Sequence, residues 1–230
     1  MTNSNRKFGV RAICFSATAS FTASLALFFI GAVTVKRAER HEILYAAIPL
    51  LFAVQQLIEG GLWLALPAQV FATQYLTTIY LIFANIIWPA FVPVAILMLE
   101  PSKLRRKLLL IPLAAGALTT AFFIAMMVQE PVSAAIIGSH IHYDFPYPHD
   151  KIAFAFYATA TCLAPLLSSH KAVRLLGATL IFSMVASYLI YAIWFASVWC
   201  YFAALISAAV FIYFRRQNVS DILQQSELPA

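Results

Sequence analysis

The feature that most restricts the fold of this chain is a series of seven long apolar stretches that are almost free of charged residues. The stretches are 15–35, 43–66, 70–99, 108–128, 152–167, 175–195 and 198–214. A helix needs about 20 mostly apolar residues to cross a bilayer, whereas the strands of a membrane β-barrel alternate in polarity over about 10 residues. Because these stretches are long and continuous, the sequence predicts an all-α integral membrane bundle of seven transmembrane helices.

The composition excludes the main soluble classes. Of the 230 residues, 63% are hydrophobic and 10% are charged, whereas a soluble domain carries roughly 25% charged residues. Disordered chains show the opposite imbalance, with low hydrophobicity and high charge. The net charge of +6 lies mostly in short loops and not in a basic patch with interleaved aromatic residues, so we expect membrane lipids as partners and no nucleic acid.

The basic residues predict the orientation of the bundle. Eleven of the fifteen Lys and Arg residues follow the odd-numbered stretches: Lys36, Arg37, Arg40, Lys103, Arg105, Arg106, Lys107, Lys171, Arg174, Arg215 and Arg216. The positive-inside rule therefore places the N-terminus outside and the C-terminus in the cytoplasm. The basic N-terminal tail opposes this assignment, and if it lay inside, the number of spans would change by one. We expect a tail at 1–14, a membrane domain at 15–216 with an outer loop at 130–150, and a flexible tail at 217–230.

Two stretches have unusual features. Basic residues precede the first, as in a signal peptide, but its apolar core exceeds the 7–15 residues of such a segment and no clear cleavage motif follows. We therefore expect a retained helix. The third stretch contains Pro89 and Pro93. Proline removes a backbone donor and clashes with the preceding turn, which predicts a kink or a break near Pro89.

Glu59 is the one charged residue within the seven stretches. Ionisable residues are costly inside a membrane, so each of them is a functional hypothesis. Gln55, Glu59 and Trp63 recur at intervals of four on one helical face, with Gln56 beside them. We predict a ligand-binding pocket around these four residues that opens outward and holds a proton, a cation or a polar ligand group. The alternative is a neutral Glu59, hydrogen-bonded to Gln55 or to a neighbouring helix, that serves only packing.

The outer loop contains a candidate metal site. If the chain is extended there, His140, His142 and Asp144 point to one face. Two imidazoles and a carboxylate suit Zn or another divalent metal. Pro146 follows closely, so that any strand is short. The alternative is a solvated or lipid-interface loop.

Two of the three cysteines begin apolar stretches on the same predicted side of the membrane. Cys14 and Cys200 are candidates for a disulfide if the compartment is oxidising. Two free, packed thiols or a pair of metal ligands near the histidine loop are the alternatives. Cys162 lies in the middle of a stretch and is expected to pack as a small hydrophobe.

Four blocks of residues resemble a family of small, uncharacterised bacterial membrane proteins that begin Met-Cys-Phe-Ser. The blocks are Cys14-Phe15-Ser16-Ala17-Thr18, Gln56-Leu57-Ile58-Glu59-Gly60 with Trp63, Glu100-Pro101, and Trp199-Cys200 with Ala203, Ala204 and Ser207. The resemblance implies a seven-span fold in a bacterial cytoplasmic membrane and emphasises Cys14, Glu59 and Cys200, but it implies no activity. This chain departs from the family in the extra dozen residues before Cys14 and in Gln55, where the family has histidine. The second departure weakens a metal site built on histidine and Glu59.

Three functions are compatible with these residues. The first is a binding or transport protein with its polar pocket at Glu59. The second is an enzyme at the outer membrane face that uses a metal held by His140, His142 and Asp144, with Glu59 as an acid or base. The third is an accessory subunit of a larger membrane complex, and a chain of this size is also a candidate for homo-oligomerisation. We favour the first.

Overall fold

The computed structural model describes residues 15–68 and 70–215. Its helices are α1 (Ala17–Arg37), α2 (Ile43–Ala46), α3 (Ile48–Ala68), α4 (Ala72–Leu81), α5 (Trp88–Leu99), α6 (Lys103–Leu108), α7 (Leu110–Gln129), α8 (Asp150–Ala158), α9 (Ala164–Leu166), α10 (Lys171–Tyr191) and α11 (Phe195–Ser207). An antiparallel hairpin of β1 (Ser133–Ile137) and β2 (His140–Asp144) lies between α7 and α8. The chain is π-helical over Ile82–Ile87 and Thr159–Leu163 and forms a 3₁₀ turn over Ala192–Trp194.

Five helical segments of the described residues are long and apolar enough to cross a membrane. They are Ala17–Arg37, Ile43–Ala68, Ala72–Leu99, Lys103–Gln129 and Lys171–Arg215. The predicted helical class is confirmed at this level, with one small hairpin added to it. The last segment contains two rods, because Tyr191 and Trp194 leave helical backbone angles at the 3₁₀ turn. Helices α10 and α11 then pack against each other.

Short polar and basic residues mark the ends of the first helix. Ser16 precedes α1, and its Oγ accepts a hydrogen bond from the backbone N–H of Ala19 at 3.2 Å. This satisfies one of the N–H groups that a helix start leaves without a partner. Lys36 and Arg37 occupy the last turn, where the helix dipole favours positive charge.

Hydrogen bonds between neighbouring connections and helix ends identify the two ends of the bundle. At one end, Gln74 donates to the Val132 carbonyl at 3.0 Å, and His142 Nδ1 lies 2.8 Å from the Ile193 carbonyl oxygen. We call this the hairpin end. At the other end, Arg105 donates to the Leu167 carbonyl at 2.8 Å, and Ser169 N–H donates to the Glu100 carboxyl at 2.6 Å. Most of the basic residues lie at this second end, in the short helix α6 and in the terminal turns of α1 and α10, and we call it the basic end.

The two π-helical segments are linked by a hydrogen bond from one helical stretch to the other. The Tyr157 hydroxyl, just before the second segment, donates to the Ala84 carbonyl in the first at 2.7 Å. Thr120 of α7 donates to the Ile86 carbonyl at 3.1 Å. The predicted kink or break near Pro89 takes this form: the helix continues through the proline, and the widened turn lies just before it. Neighbouring side chains satisfy carbonyls there, which is how proline is tolerated inside a membrane helix.

Helices α5 and α7 are in close backbone contact at Gly116. A Cβ atom added at this position would collide with the carbonyl oxygen of Pro89. Backbone atoms cannot move aside as a flexible side chain can, so the contact requires glycine. This contact restricts the position of α5 along the bundle axis, and α5 is the helix that begins with Trp88.

Candidate functional site

A buried polar cluster surrounds Glu59 where α3, α5 and α11 meet. Ser197 Oγ donates to Oε1 of Glu59 at 2.5 Å, and Gln56 Nε2 donates to Oε2 at 3.0 Å. One turn away, Trp88 Nε1 donates to Oε1 of Gln55 at 2.6 Å. We call Gln55, Gln56, Glu59, Trp88 and Ser197 the Glu59 cluster. None of the five side chains is more than 3% exposed, so each polar group depends on its protein partners.

Two tyrosines and a cysteine cover the cluster on the side of the hairpin. Tyr80 interacts with Glu59 and with Cys200. Its ring stacks on that of Tyr143 in β2, with centroids 4.4 Å apart and planes within 2° of parallel. The hairpin therefore lies directly against the residues that surround Glu59.

Two amide atoms of the cluster lack a nitrogen or oxygen partner among the described residues: Gln55 Nε2, which faces the weakly accepting sulfur of Cys200, and Gln56 Oε1. The orientation of each amide follows from its neighbour. Trp88 Nε1 is only a donor, so it must face the oxygen of Gln55. Gln56 in turn offers its nitrogen to Glu59. One buried donor and one buried acceptor remain beside the carboxyl group, which is unusual because buried polar groups are normally paired.

Three of the four residues predicted for this site lie together, namely Gln55, Gln56 and Glu59. Trp63 does not join their hydrogen bonds within the described part of the chain; it is partly buried against the apolar group that contains Leu62 and Tyr80. The predicted outward opening is not seen either, since Glu59 is 1% exposed. Trp88, Ser197 and Tyr80 were not predicted. Of these three residues, only Trp88 had a signal in the sequence, as a tryptophan in a span that contains prolines.

The structure places the candidate metal ligands on one strand. His140, His142 and Asp144 alternate along β2, as the sequence predicted for an extended segment. Over residues 15–68 and 70–215, no group of three or more His, Cys, Asp or Glu side chains is placed to hold a metal ion. The metal site stays a prediction, and the geometry of the strand gives it no support.

His140 is instead enclosed by aromatic rings. The ring centroids of Phe15, Trp194 and Tyr191 lie 4.5, 5.0 and 5.3 Å from its own. Neither ring nitrogen has a hydrogen-bond partner among the described residues. Burial lowers the pKa of His140, because an apolar surrounding disfavours the charged imidazolium. The neutral ring thus acts as a packing element of the hairpin end.

The structure describes two of the three cysteines, Cys162 and Cys200. Cys200 is buried in α11 beside Tyr80 and Gln55, and it forms no disulfide with another described residue. Cys14 lies outside the described residues, so the disulfide between them stays a prediction. Cys162 is buried in the second π-helical segment, where its sulfur lies 3.9 Å from that of Met184.

Three adjoining cavities run from the hairpin end into the bundle. The hairpin cavity has an empty volume of about 1400 Å³, counting space open to the outside, and its lining includes Asn85, His142, Tyr143, Asp150 and Lys151. The middle cavity, of about 110 Å³, shares Asn85, Tyr147, Phe154, Phe195 and Ala196 with it. The inner cavity, of about 40 Å³, shares Tyr157, Trp199 and Cys200 with the middle one. We call the three together the corridor.

The inner cavity borders the Glu59 cluster. Trp88 and Cys200 line it, and Trp88 is also the residue that donates to Gln55. The rest of its lining is almost entirely apolar. Its three hydroxyl side chains already donate to backbone carbonyls: Tyr157 to Ala84 at 2.7 Å, Thr161 to Tyr157 at 2.9 Å and Ser207 to Ala204 at 2.6 Å. The corridor thus carries polar groups near the hairpin and apolar groups at its inner end.

Comparison with known proteins gives one match. Searches of curated proteins and of solved structures found nothing similar to this chain. A model of a family of unknown function, DUF6629, matches residues 13–225. The matched region includes all of the helices and the hairpin described above, and the chain belongs to this family of unknown function, DUF6629.

Proposed function

We propose that this chain is an integral membrane binding or transport protein whose ligand site is the Glu59 cluster. The observation that carries the proposal is the pair of unpaired amide atoms, Gln55 Nε2 and Gln56 Oε1, buried beside a carboxyl group. A cluster that only stabilised packing would be expected to pair both, since an unpaired buried group costs about 1–3 kcal/mol. A ligand with one donor and one acceptor would satisfy both atoms.

We further propose seven spans, with the N-terminus outside, in a bacterial cytoplasmic membrane. The 3₁₀ turn divides Lys171–Arg215 into two rods, and α8, α9 and the π-helical segment between them supply the remaining rod. That rod, Asp150–Leu166, is about 25 Å long at 1.5 Å per residue, close to the roughly 30 Å of hydrocarbon. The concentration of Lys and Arg at the basic end supports a cytoplasmic location for that end.

The cluster is sealed, so a ligand must reach it from a neighbouring space. The corridor supplies such a space, because Trp88, a member of the cluster, and Cys200, which contacts Gln55, both line the inner cavity. The hairpin end of the corridor is the outer one in the proposed orientation. Entry would therefore be from the outer face.

Native mass spectrometry of gently solubilised protein tests the proposal. We expect the wild-type protein to carry a small-molecule adduct whose occupancy falls at least about tenfold in Glu59→Gln, because hydrogen bonds to charged groups contribute about 1.5–3 kcal/mol. Glu130→Gln makes the same chemical change at an exposed position and should keep the adduct.

Two results would contradict the proposal: an adduct of equal occupancy in Glu59→Gln, or a wild-type protein that carries none after reconstitution in total membrane lipid. The same spectra report oligomers, co-purified partner chains and bound metal. A metal lost when both His140 and His142 are replaced by alanine would favour the metal enzyme instead.

A further inference from the structure

Two arginines at the basic end are held on the same backbone carbonyl. Nη1 of Arg105 in α6 donates to the Ser168 carbonyl oxygen at 3.1 Å, and Nη1 of Arg174 in α10 donates to the same oxygen at 2.9 Å. The two nitrogens therefore lie within about 6 Å of each other. Each also donates to a neighbouring carbonyl at 2.8 Å, Arg105 to that of Leu167 and Arg174 to that of Ser169. The loop between α9 and α10 thus holds two guanidinium groups side by side.

Both guanidinium groups keep an unused edge. All four of these hydrogen bonds come from Nη1, and neither Nε nor Nη2 of Arg105 or Arg174 has a hydrogen-bond partner among the described residues. Two parallel N–H groups of a guanidinium form the planar fork that binds two oxygens of a phosphate or a carboxylate. Because Nη1 is already anchored, each fork loses little conformational freedom when it binds. Both side chains are half-buried, so part of each remains accessible.

Acidic side chains do not balance the positive charge around this carbonyl. Neither arginine forms an ion pair with an acidic residue over 15–68 and 70–215. Glu100 contacts the same loop, but its carboxyl oxygens accept from Ser169 and Ser102. The end of a helix such as α9 contributes about half a unit of negative charge, against two full positive charges. Like charges this close repel each other, so an anion that contacts both is favoured.

The start of α10 adds to the excess of positive charge. The N-terminus of a helix carries about half a unit of positive charge, which favours acidic residues in the first turn. The first turn of α10 has no acidic residue and contains Lys171 and Arg174 instead. The side chain of the N-cap residue, His170, makes no capping hydrogen bond. A bound anion would offset the helix dipole and the cations together.

The position of the arginines along the bundle indicates the source of the anion. Arg105 and Arg174 lie in the first turns of α6 and α10, where two of the segments that could cross a membrane begin. Exposed leucines adjoin them in the chain: Leu104 is 70% exposed and Leu175 is 67% exposed. Cations beside exposed apolar side chains at the end of a span suit a molecule that carries both a phosphate and acyl chains.

We infer that Arg105 and Arg174 bind the phosphate group of an anionic phospholipid, with its oxygens at the two guanidinium forks and its acyl chains against the neighbouring leucines. Lys171 is exposed beside them and favours a head group with net negative charge over a zwitterionic one. The bound lipid would link α6 to α10. The site uses other residues than the Glu59 cluster, so it does not depend on the proposed function.

Lipid titration followed by native mass spectrometry tests the inference. Delipidated full-length protein in detergent is titrated with phosphatidylglycerol or with phosphatidylcholine of the same acyl chains, and the occupancy of the first bound lipid is measured. We expect saturable binding of phosphatidylglycerol that is at least about fivefold tighter than that of phosphatidylcholine, because the nearby cations attract net negative charge. Equal affinities for the two lipids would overturn the inference.

Glutamine variants identify the residues that bind. Arg105→Gln and Arg174→Gln each remove one fork, so we expect phosphatidylglycerol to bind at least about tenfold more weakly, since hydrogen bonds between charged groups are the stronger ones. Arg40→Gln makes the same change in charge at an exposed position in the turn after α1 and should bind as the wild type does. An equal loss in Arg40→Gln would show that the lipid responds to net charge and not to this site.

A lysine variant covers the case in which a glutamine variant does not fold, since both arginines also hold the loop between α9 and α10. Arg174→Lys keeps the positive charge and replaces the fork by a single ammonium group. We expect it to bind phosphatidylglycerol about fivefold more weakly than the wild type. Binding as tight as that of the wild type in folded Arg174→Lys would contradict binding through the guanidinium fork.

Thermal unfolding in mixed micelles distinguishes a lipid from a free anion, because a ligand of the folded state raises the melting temperature. We expect phosphatidylglycerol to raise it, and millimolar inorganic phosphate to leave it unchanged relative to chloride of equal ionic strength. A rise with inorganic phosphate that is lost in Arg174→Gln would assign the site to free phosphate and overturn the lipid. Glu59→Gln should bind phosphatidylglycerol as the wild type does, and a matching loss in this variant would contradict a separate site.

Discussion

The indole Nε1 of Trp88 donates a 2.6 Å hydrogen bond to the side-chain oxygen of Gln55, and the ring of Trp88 stacks on Phe52 with centroids 3.9 Å apart. The hydrogen bond and the stacking join α5 to α3 from two directions. Phe52 and Trp88 both line the inner cavity. The position of one tryptophan therefore sets both the orientation of the Gln55 amide and one wall of the corridor.

Removing the donor of Trp88 should destabilise the bundle. Trp88→Phe keeps an aromatic ring and leaves the Gln55 amide without its partner, so we expect a loss of about 1–3 kcal/mol in the free energy of unfolding. The measurement is a denaturant titration in mixed micelles. In a Gln55→Leu background the same change should cost much less, because the amide is no longer there; equal costs in both backgrounds would rule out the coupling.

Ser197→Ala should destabilise the fold through Glu59. Ser197 donates to the carboxyl at 2.5 Å in a fully buried site, so we expect a loss of about 1–3 kcal/mol. Ser183→Ala on α10 is the control, since that hydroxyl donates only to the carbonyl three residues earlier and is expected to cost little. Thermal unfolding of the purified variants gives the comparison, and a Ser197→Ala variant as stable as wild type would contradict the assigned hydrogen bond.

Glu100 should make the basic end sensitive to acid. Burial alone would raise the pKa of Glu100, but hydrogen bonds from the Ser169 hydroxyl and from the backbone N–H groups of Ser169 and Ser102 outweigh it and hold the pKa below its ordinary value of 4.5. The folded state then favours the carboxylate. Its contribution to stability is complete above pH 4.5 and is lost as the pH falls through the lower pKa of the folded state.

The test compares Glu100→Gln with wild type over a range of pH. We expect the variant to be less stable at pH 7 by about 1–3 kcal/mol, and the difference to narrow as the pH falls below 4.5. Glu130→Gln, at an exposed position, should follow the wild-type curve. A difference between Glu100→Gln and wild type that is the same at pH 4 and pH 7 would show that the carboxylate charge is not what stabilises this end.

Alanine substitution at two glycines should distinguish a helix contact that requires glycine from one that does not. Gly116→Ala places a methyl group against the Pro89 carbonyl oxygen, which cannot give way, so we expect a loss of about 1–3 kcal/mol from forced backbone shifts. At Gly61 the nearest atoms are side-chain carbons of Leu76 at 3.5 and 3.9 Å, an ordinary contact. Gly61→Ala should be neutral or slightly stabilising because alanine favours helix. The melting temperatures of the two variants decide the matter.

The sequence predicted the long helices well because a membrane helix depends on local composition. The stretch predicted at 43–66 is Ile43–Ala68 in the structure, and that at 108–128 lies within Lys103–Gln129. Composition also identified Glu59, since one charge in an apolar run is conspicuous without any knowledge of the fold. The hairpin was anticipated only as a short extended segment, because pairing between β1 and β2 depends on register as well as on composition.

The partners of Glu59 could not be predicted in the same way. Ser197 lies 138 residues further along the chain, and nothing local to either residue indicates the contact. Trp63 was predicted as the fourth residue of the ligand-binding pocket, and among the described residues it lies beside the apolar group that contains Leu62 and Tyr80. Eight residues at 1.5 Å per residue place Trp63 about 12 Å from Gln55 along the axis of α3, so the two side chains lie at different depths of the bundle. The cavities depend on the packing of several helices and leave no local pattern.

The π-helical segment before Trp88 has a consequence for how the chain tolerates insertions and deletions. A wider turn of this kind places residues beyond it at a different angle around the axis from those of an uninterrupted α-helix. Deleting one residue within Ile82–Ile87 would rotate everything after it by about 100° and would turn Trp88 away from Gln55. Substitutions in this segment change only how side chains fit, whereas its length decides which face of α5 packs against α3.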